Sequence, residues 1–137
     1  MQTKENTFRP NNLTEYQVLT EFLDAWKTKH YTRMLEFCQI TWRFNEKDPE
    51  DTLQKFFGQK DLMDYNVDKS NTFYSHKSCL CKIQLGIRFY YVNAIYSAKC
   101  VATLVREQAA YTPSVSGNWG VNPISMLKQT LRKEAGK

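Results

Sequence analysis

The sequence lacks the features that most directly reveal a function. No apolar run approaches the roughly 20 residues that a membrane-spanning helix needs, and the first twelve residues are polar throughout, unlike a secretory signal peptide. Neither a glycine-rich phosphate loop nor a G-x-S-x-G nucleophile turn occurs. We therefore expect no membrane span in this chain and, for the chain as written, a cytoplasmic location.

Cysteine is present, but not in the density of a disulfide scaffold. The chain of 137 residues is long enough for one domain with its own core. The spacing of His76, Cys79 and Cys81 offers soft metal ligands, yet structural zinc sites draw their ligands from tight turns rather than from an alternating strand. We expect neither a metal nor another cofactor, and we expect reduced core thiols at Cys38, Cys79, Cys81 and Cys100.

Charge is distributed unevenly along the chain. Residues 1–70 hold ten Lys and Arg against twelve Asp and Glu, and residues 71–137 hold nine against two, so balances of −2 and +7 make up the net charge of +5. The two halves can pack together and neutralise each other in part, or the second half can form a basic surface for an acidic partner or nucleic acid. Because the basic residues are spaced singly, the first interpretation is favoured.

Helical periodicity covers the first part of the chain. One apolar stripe predicts a helix over residues 13–29, and a second predicts another over residues 31–42. A third helix is marked by its ends: Asp48 is a good N-cap, Pro49 suits the first helical position, and Gly58 lies where a helix ends.

After Gly58 the period changes to that of strands. Alternation predicts a short strand over residues 63–68, a long strand with one buried face over residues 79–91, and another long strand over residues 95–108. Asn93-Ala94 predicts the tight turn of a hairpin. The short strand WGV follows and ends at Pro123, after which the tail predicts a last helical turn or two.

Helices first and an antiparallel sheet afterwards is the α+β pattern. We predict a cone-shaped, curved antiparallel sheet with three N-terminal helices packed on its concave face. Residues 13–132 form the single domain, with a flexible arm at residues 1–12 and a frayed tail at residues 133–137.

Three segments of the sequence resemble those of a known family. FLDAWKTKHYTRMLEFC is similar to the first two helices of the nuclear transport factor two-like superfamily, the cystatin-like fold that also houses SnoaL-type cyclases and ketosteroid isomerase-like enzymes. AKCVATLVRE and NWGVNPISML resemble the last strands of small bacterial members, including accessory domains of conjugation and cell-surface proteins. The resemblance covers about residues 13–127 and implies the cone-shaped fold and self-association through the sheet. Lys29-His30 departs from the small polar residues usual at the break between the first two helices.

No residue stands out as catalytic. Asp24 falls on the water-facing side of the first helix, and His30 lies at the helix end, where it can interact with the last carbonyls. A ketosteroid isomerase-like site needs a carboxylate base and acidic donors inside an apolar pocket. The inward row of the long strand contains no carboxylate, and Glu107 is the only acid late in the sheet. We therefore predict no catalytic residue.

Aromatic and basic side chains suggest two binding surfaces. Aromatic residues on inward faces are candidates for lining a small apolar-ligand pocket, with plain core packing as the alternative: Trp26, Tyr31, Trp42, Tyr65 and Tyr91. The outer face of the sheet offers interface candidates: Lys82, Gln84, Arg88 and Tyr90. Tyr90 between basic residues loosely resembles a stacking platform, but we expect this face to pair with another copy and do not expect nucleic acid as the partner.

These observations favour a non-catalytic binding or accessory module that forms a homodimer through its outer sheet face. The alternative is a small-molecule isomerase, dehydratase or cyclase that acts in the cone pocket. A third reading is a basic-surface binder of nucleic acid or of an acidic protein. An open cone with a buried carboxylate would favour the enzyme, whereas a cone filled by Trp26, Trp42 and Phe89 would remove that option.

Overall fold

A computed structural model describes residues 13–134 and confirms the α+β fold class. Four α-helices precede a curved, six-stranded antiparallel sheet that is not closed. The helices cover one face of the sheet, here called the helix side, and the opposite side is called the outer face. The predicted arm at residues 1–12 and the last three residues of the predicted tail lie outside the described residues. No helix among the described residues combines the length and apolar character needed to cross a membrane.

The first and last helices begin and end close to where the sequence predicts. Helix α1 spans Glu15–Lys27, and its N-cap Thr14 forms a capping box with Gln17. Helix α4 spans Pro49–Phe57 with Asp48 as its N-cap and Gly58 as its C-cap. Local capping chemistry therefore sets both helices, as the sequence indicates.

The single helix predicted over residues 31–42 is wrong, because the structure has two short helices there. Helix α2 spans Tyr31–Glu36 and α3 spans Ile40–Asn45. Between them, the Gln39 amide donates to the Val121 carbonyl and the Val121 amide donates to the Phe37 carbonyl, both at 2.8 Å. These bonds join the backbone to the sheet edge as a parallel bridge at Cys38. The backbone groups of this segment therefore bond to the sheet instead of continuing the helix.

The three long strands pair in chain order as antiparallel neighbours. β1 spans Asp61–Ser75, β2 spans Leu80–Tyr91 and β3 spans Ala94–Ala109, so β1 is much longer than the predicted short strand. The other edge of β3 pairs with three short strands: β4 at Thr112–Pro113, β5 at Asn118–Asn122 and β6 at Thr130–Lys133.

The tail differs in part from the sequence expectation. A 3₁₀ helix at Pro123–Leu127 supplies the expected helical turn. Instead of continuing as helix, the chain then forms β6, in which Lys133 pairs with Tyr96. The amide of Glu134 also donates to the carbonyl of Ile95. The order of the tail therefore extends past residue 132, where we expected the domain to end.

One core lies between the helices and the inner face of the sheet. The alternating row of β2 contributes Cys81, Ile83, Ile87 and Phe89, all at most 2% exposed. Burial of such side chains stabilises the fold by about 1.5–3 kcal/mol each.

The turn between β2 and β3 contains a strained valine. Tyr91 pairs with Ala94, so the turn is centred on Val92-Asn93, one residue earlier than predicted. Both central residues have positive φ, 46° at Val92 and 62° at Asn93, which is the pattern of a type I′ turn. Asn tolerates this conformation, whereas a β-branched residue is strained in it.

We expect Val92→Asn to stabilise the protein by about 1 kcal/mol, because it relieves the left-handed strain of an exposed side chain. Urea unfolding would measure the gain. Val115→Asn is the matched control, since Val115 is similarly exposed and has no positive φ. An equal gain in both variants would contradict the strain argument.

Gly120 allows the close approach between β5 and the segment that separates α2 from α3. A Cβ atom at this position would lie 2.6 Å from the Gln39 Cα and 2.7 Å from the Cys38 carbonyl oxygen. Backbone atoms cannot move away here without lengthening the bonds that hold the segment to Val121.

We expect Gly120→Ala to lower the free energy of unfolding by about 2–3 kcal/mol through this overpacking. Gly86→Ala serves as its control, since a Cβ at Gly86 would lie an ordinary 3.9 Å from the Ala98 carbonyl oxygen. Similar losses in both variants, measured by urea unfolding, would show that the close contact at Gly120 does not decide the result.

Candidate binding face

Tryptophan fills the helix side. Trp26 is fully buried, and its indole Nε1–H donates to the carbonyl of Phe57 at 3.1 Å and that of Lys60 at 2.9 Å. Its ring contacts the Phe57 ring at a centroid distance of 4.9 Å. Phe89 is 1% exposed and Trp42 is 6% exposed. These positions are occupied by tightly packed core, which is the alternative that we gave for the aromatic candidates.

The other three aromatic candidates are only partly buried at the margins of this core: Tyr31, Tyr65 and Tyr91. Tyr65 donates from its hydroxyl to Asp24 Oδ1 at 2.7 Å. Burial, with help from this bond, raises the pKa of Tyr65 to about 12. Asp24 is exposed, as predicted from the helical wheel, but its partner on β1 was not predicted.

The cysteines lie in the core, whereas both histidines are exposed. All four cysteines are buried and free of disulfides, in agreement with the prediction of core thiols. Burial raises the pKa of Cys81 and of Cys100 to about 12, so neither is a thiolate at neutral pH.

His30 is exposed at the start of α2, and its side chain makes no capping bond. His76 is exposed in the β1–β2 turn, where its ring Nδ1 lies 3.0 Å from Ser75 Oγ.

Glu107 is the one charged side chain in the buried class among the described residues, at 2% exposure. It accepts from the Thr41 amide at 3.0 Å, from the Thr41 hydroxyl, and from Gln39 Nε2 at 3.4 Å. The carboxylate thus caps the first turn of α3 and joins it to β3. The Thr41 hydroxyl also accepts from the Tyr111 amide at 2.8 Å, so Glu107 organises a network of structural bonds.

Open space lies on the outer face. Two adjoining cavities of about 500 and 810 Å³ follow the face across β1, β2, β3 and β6 and share Asn66, Gly86, Lys99 and Thr130. Together they are called the outer groove. Three of the four predicted interface residues line it: Lys82, Gln84 and Arg88. The fourth, Tyr90, lies on the same face at the end of β2, and its hydroxyl is 3.3 Å from Asn93 Oδ1.

The outer groove concentrates the basic charge of the second half of the chain. Five of the nine Lys and Arg in residues 71–137 line it. Arg88 bonds to Asp64 at 2.7 Å and to Glu134 at 2.8 Å, and these carboxylates, Glu134 first, raise its pKa. The other four make no ion pair with any residue in the described part of the chain: Lys82, Lys99, Lys128 and Arg132.

The alternation of side chains along β2 was enough to predict that Lys82, Gln84 and Arg88 lie on this face. Sequence reasoning missed the contributions of Lys99, Lys128 and Arg132. The alternation of β3 signals the orientation of Lys99, but the other two join the groove only because β6 pairs with β3. That pairing has no local signal in the sequence.

Comparison with known proteins gives no family assignment. No protein-family model, curated protein or solved structure matches the chain. The resemblance to the nuclear transport factor two-like superfamily therefore stays a prediction.

We expect Glu107→Ala to destabilise the protein by about 2–4 kcal/mol, because it leaves the Thr41 amide without its buried acceptor. Glu107→Gln retains one acceptor oxygen and should lower the free energy of unfolding by about half as much. Urea unfolding measures both losses. Gln108→Ala, at the exposed neighbouring position, is the control and should change little. Full stability of Glu107→Ala would contradict the capping role.

Proposed function

We propose that this chain is a non-catalytic binding module and that its binding surface is the outer face of the sheet. The observation that carries the proposal is the position of the outer groove. It is open on a face with four cations that pair with no residue within 13–134, whereas Trp26 and Phe89 fill the helix side. Pockets with convergent polar groups are the usual place of ligand or partner binding.

The chemistry of the outer groove supports binding rather than catalysis. Asp64 is held by Arg88. Asp68 accepts bonds from the side chains of Ser70 and Asn71, which lower its pKa and keep it ionised. Neither carboxyl is placed to act as a general acid, and no histidine of residues 13–134 lines the groove. The groove thus offers charge and hydrogen bonds without an acid–base pair.

The unpaired cations point to a negatively charged partner. Lys82, Lys99, Lys128 and Arg132 lie on neighbouring strands or the segments beside them, so their positive potentials add. An anionic partner would neutralise several of them at once. Such association weakens steeply with salt.

Retention on a heparin column tests this proposal. We expect Lys82→Glu/Lys99→Glu to elute at clearly lower salt than the native protein. Lys27→Glu/Lys47→Glu is the matched control, because it changes the net charge equally at exposed positions on the helical part of the chain. We expect the control to elute close to the native protein. An equal shift in both variants would mean that net charge alone causes retention, and it would overturn the proposed surface.

Self-association through the same face is the second candidate function. The face carries apolar side chains that are 38–47% exposed: Tyr90, Val101 and Ile124. A two-fold interface would bring the basic residues of both copies together, which opposes pairing. Sedimentation velocity over a range of micromolar concentrations distinguishes a 16 kDa monomer from a dimer. A dimer lost on Tyr90→Ala/Ile124→Ser would support self-association, and a monomer throughout would exclude it.

The enzyme alternative has less support. It needs a cavity between helices and sheet that admits a substrate to acidic and basic groups. Trp26 and Phe89 occupy that space, and the bonds of Glu107 are directed to α3. A small-molecule isomerase or cyclase would have to displace these core side chains.

A further inference from the structure

Gly86 is an unexpected residue at the centre of the sheet. It lies in the middle of β2, between Asn66 of β1 and Lys99 of β3. Glycine in a strand interior costs about 0.5–1 kcal/mol relative to alanine, because it loses more backbone entropy and packs no side chain. Its presence therefore calls for a physical reason.

The fold itself supplies no such reason. Gly86 has no positive φ, and the register shifts of β1 against β2 lie elsewhere, at Leu62/Asp64 and Asp68/Thr72. A Cβ atom would approach only the Ala98 carbonyl oxygen, at an ordinary 3.9 Å. The local geometry at position 86 would therefore accept a larger residue, whereas the geometry at Gly120 would not.

The missing side chain does, however, shape the outer groove. Gly86 lines both cavities and forms the floor between them. Gln84 and Arg88, two residues before and after it on β2, point to the same face and rise on either side. Glycine inside a strand often marks a place where a ligand or another backbone approaches closely. A Cβ-branched residue would occupy this space.

We propose that the groove over Gly86 is the docking site of an extended, acidic polypeptide segment of a partner protein. This inference rests on the proposed function and specifies its partner. The groove runs along β2 from Lys82 to Arg88, about 20 Å, which is the length of roughly six extended residues. Cations mark its course: Lys82 and Lys128, then Lys99, then Arg132.

The lining favours a polypeptide over nucleic acid. Single-stranded nucleic acids bind through aromatic side chains that stack on the bases, and none of the described aromatic residues lines the groove. Instead, the groove offers side chains that both donate and accept hydrogen bonds, as a peptide backbone requires: Asn66, Gln84, Thr103 and Thr130. Tyr90 lies outside this lining.

Charge also orients the segment. Asp64 and Asp68 line the β1 side of the groove, while Lys99, Lys128 and Arg132 line the β3 and β6 side. An acidic segment avoids the β1 carboxylates and pairs with the lysines and Arg132. We therefore place it over β2 and β3 with its carboxylates toward β6.

Fluorescence anisotropy with a labelled oligoglutamate at low salt tests this inference on the full chain. We expect the native protein to bind, and Gly86→Val to weaken binding by about tenfold or more because its side chain fills the floor. Urea unfolding of the same variant should show equal or greater stability, since valine suits a strand. Gln108→Val, on the exposed end of β3, controls for added valine and should bind like the native protein.

The remaining outcomes overturn the inference in distinguishable ways. Unchanged oligoglutamate binding by Gly86→Val, with heparin retention still lost in Lys82→Glu/Lys99→Glu, would overturn the docking site and leave the proposed function standing. Tighter binding of a single-stranded oligothymidylate of equal charge would identify nucleic acid as the partner class. Marked destabilisation by Gly86→Val would show that the glycine serves the sheet itself. No oligoglutamate binding by the native protein would overturn the acidic partner.

Discussion

The backbone pairing between residues 37–39 and Val121 is the constraint on which the arrangement of the helices depends. Two hydrogen bonds of 2.8 Å join this segment to the edge of the sheet. They interrupt the helical path after Glu36 and start it again at Ile40. Because unpaired buried backbone groups are costly, the segment cannot return to helix without exposing or losing those bonds.

This pairing also explains the structural role of the buried carboxylate of Glu107. The restarted helix α3 has orphan amides in its first turn, and it is brought beside β3 by the bridge. Glu107 lies there to accept from Thr41 and Gln39. Capping by a carboxylate satisfies the amides and complements the positive end of the helix. The same side chain would have been a plausible base in an open cavity, but its oxygens are already engaged.

Local signals in the sequence were enough for much of the fold. Caps and periodicity gave α1, α4 and the two long strands, because those signals act within a few residues. The break at Phe37–Gln39 could not be predicted this way, since it depends on Gly120 and Val121, which are distant in the chain. β6 was missed for the same reason, because its four exposed residues have no buried face. Tertiary pairing, not propensity, creates both elements.

In the outer groove, too, local sequence signals predict some of the residues, and the others depend on strand pairing. Alternation on β2 identified Lys82, Gln84 and Arg88 as neighbours on one face, because side chains two apart on a strand point the same way. The basic character of that face needed topology, since β6 brings Arg132 beside Ser97 and Thr130 beside Lys99. Among the described residues, the acidic first half of the chain forms an ion pair with this face at Arg88, through Asp64. The neutralisation between the two halves therefore holds at Arg88, and the remaining groove cations form a basic surface.

The core does not require the cations of the outer groove. Burial on the helix side, the bridge at Cys38 and the cap at Glu107 involve none of them. Like charges on neighbouring strands repel and lower stability when nothing lies between them. Gly86 also lowers stability, because glycine loses more backbone entropy on folding than other residues do. Two unfavourable features thus coincide at one place that packing does not demand, and an anionic segment bound there would relieve the repulsion and fill the space above the glycine.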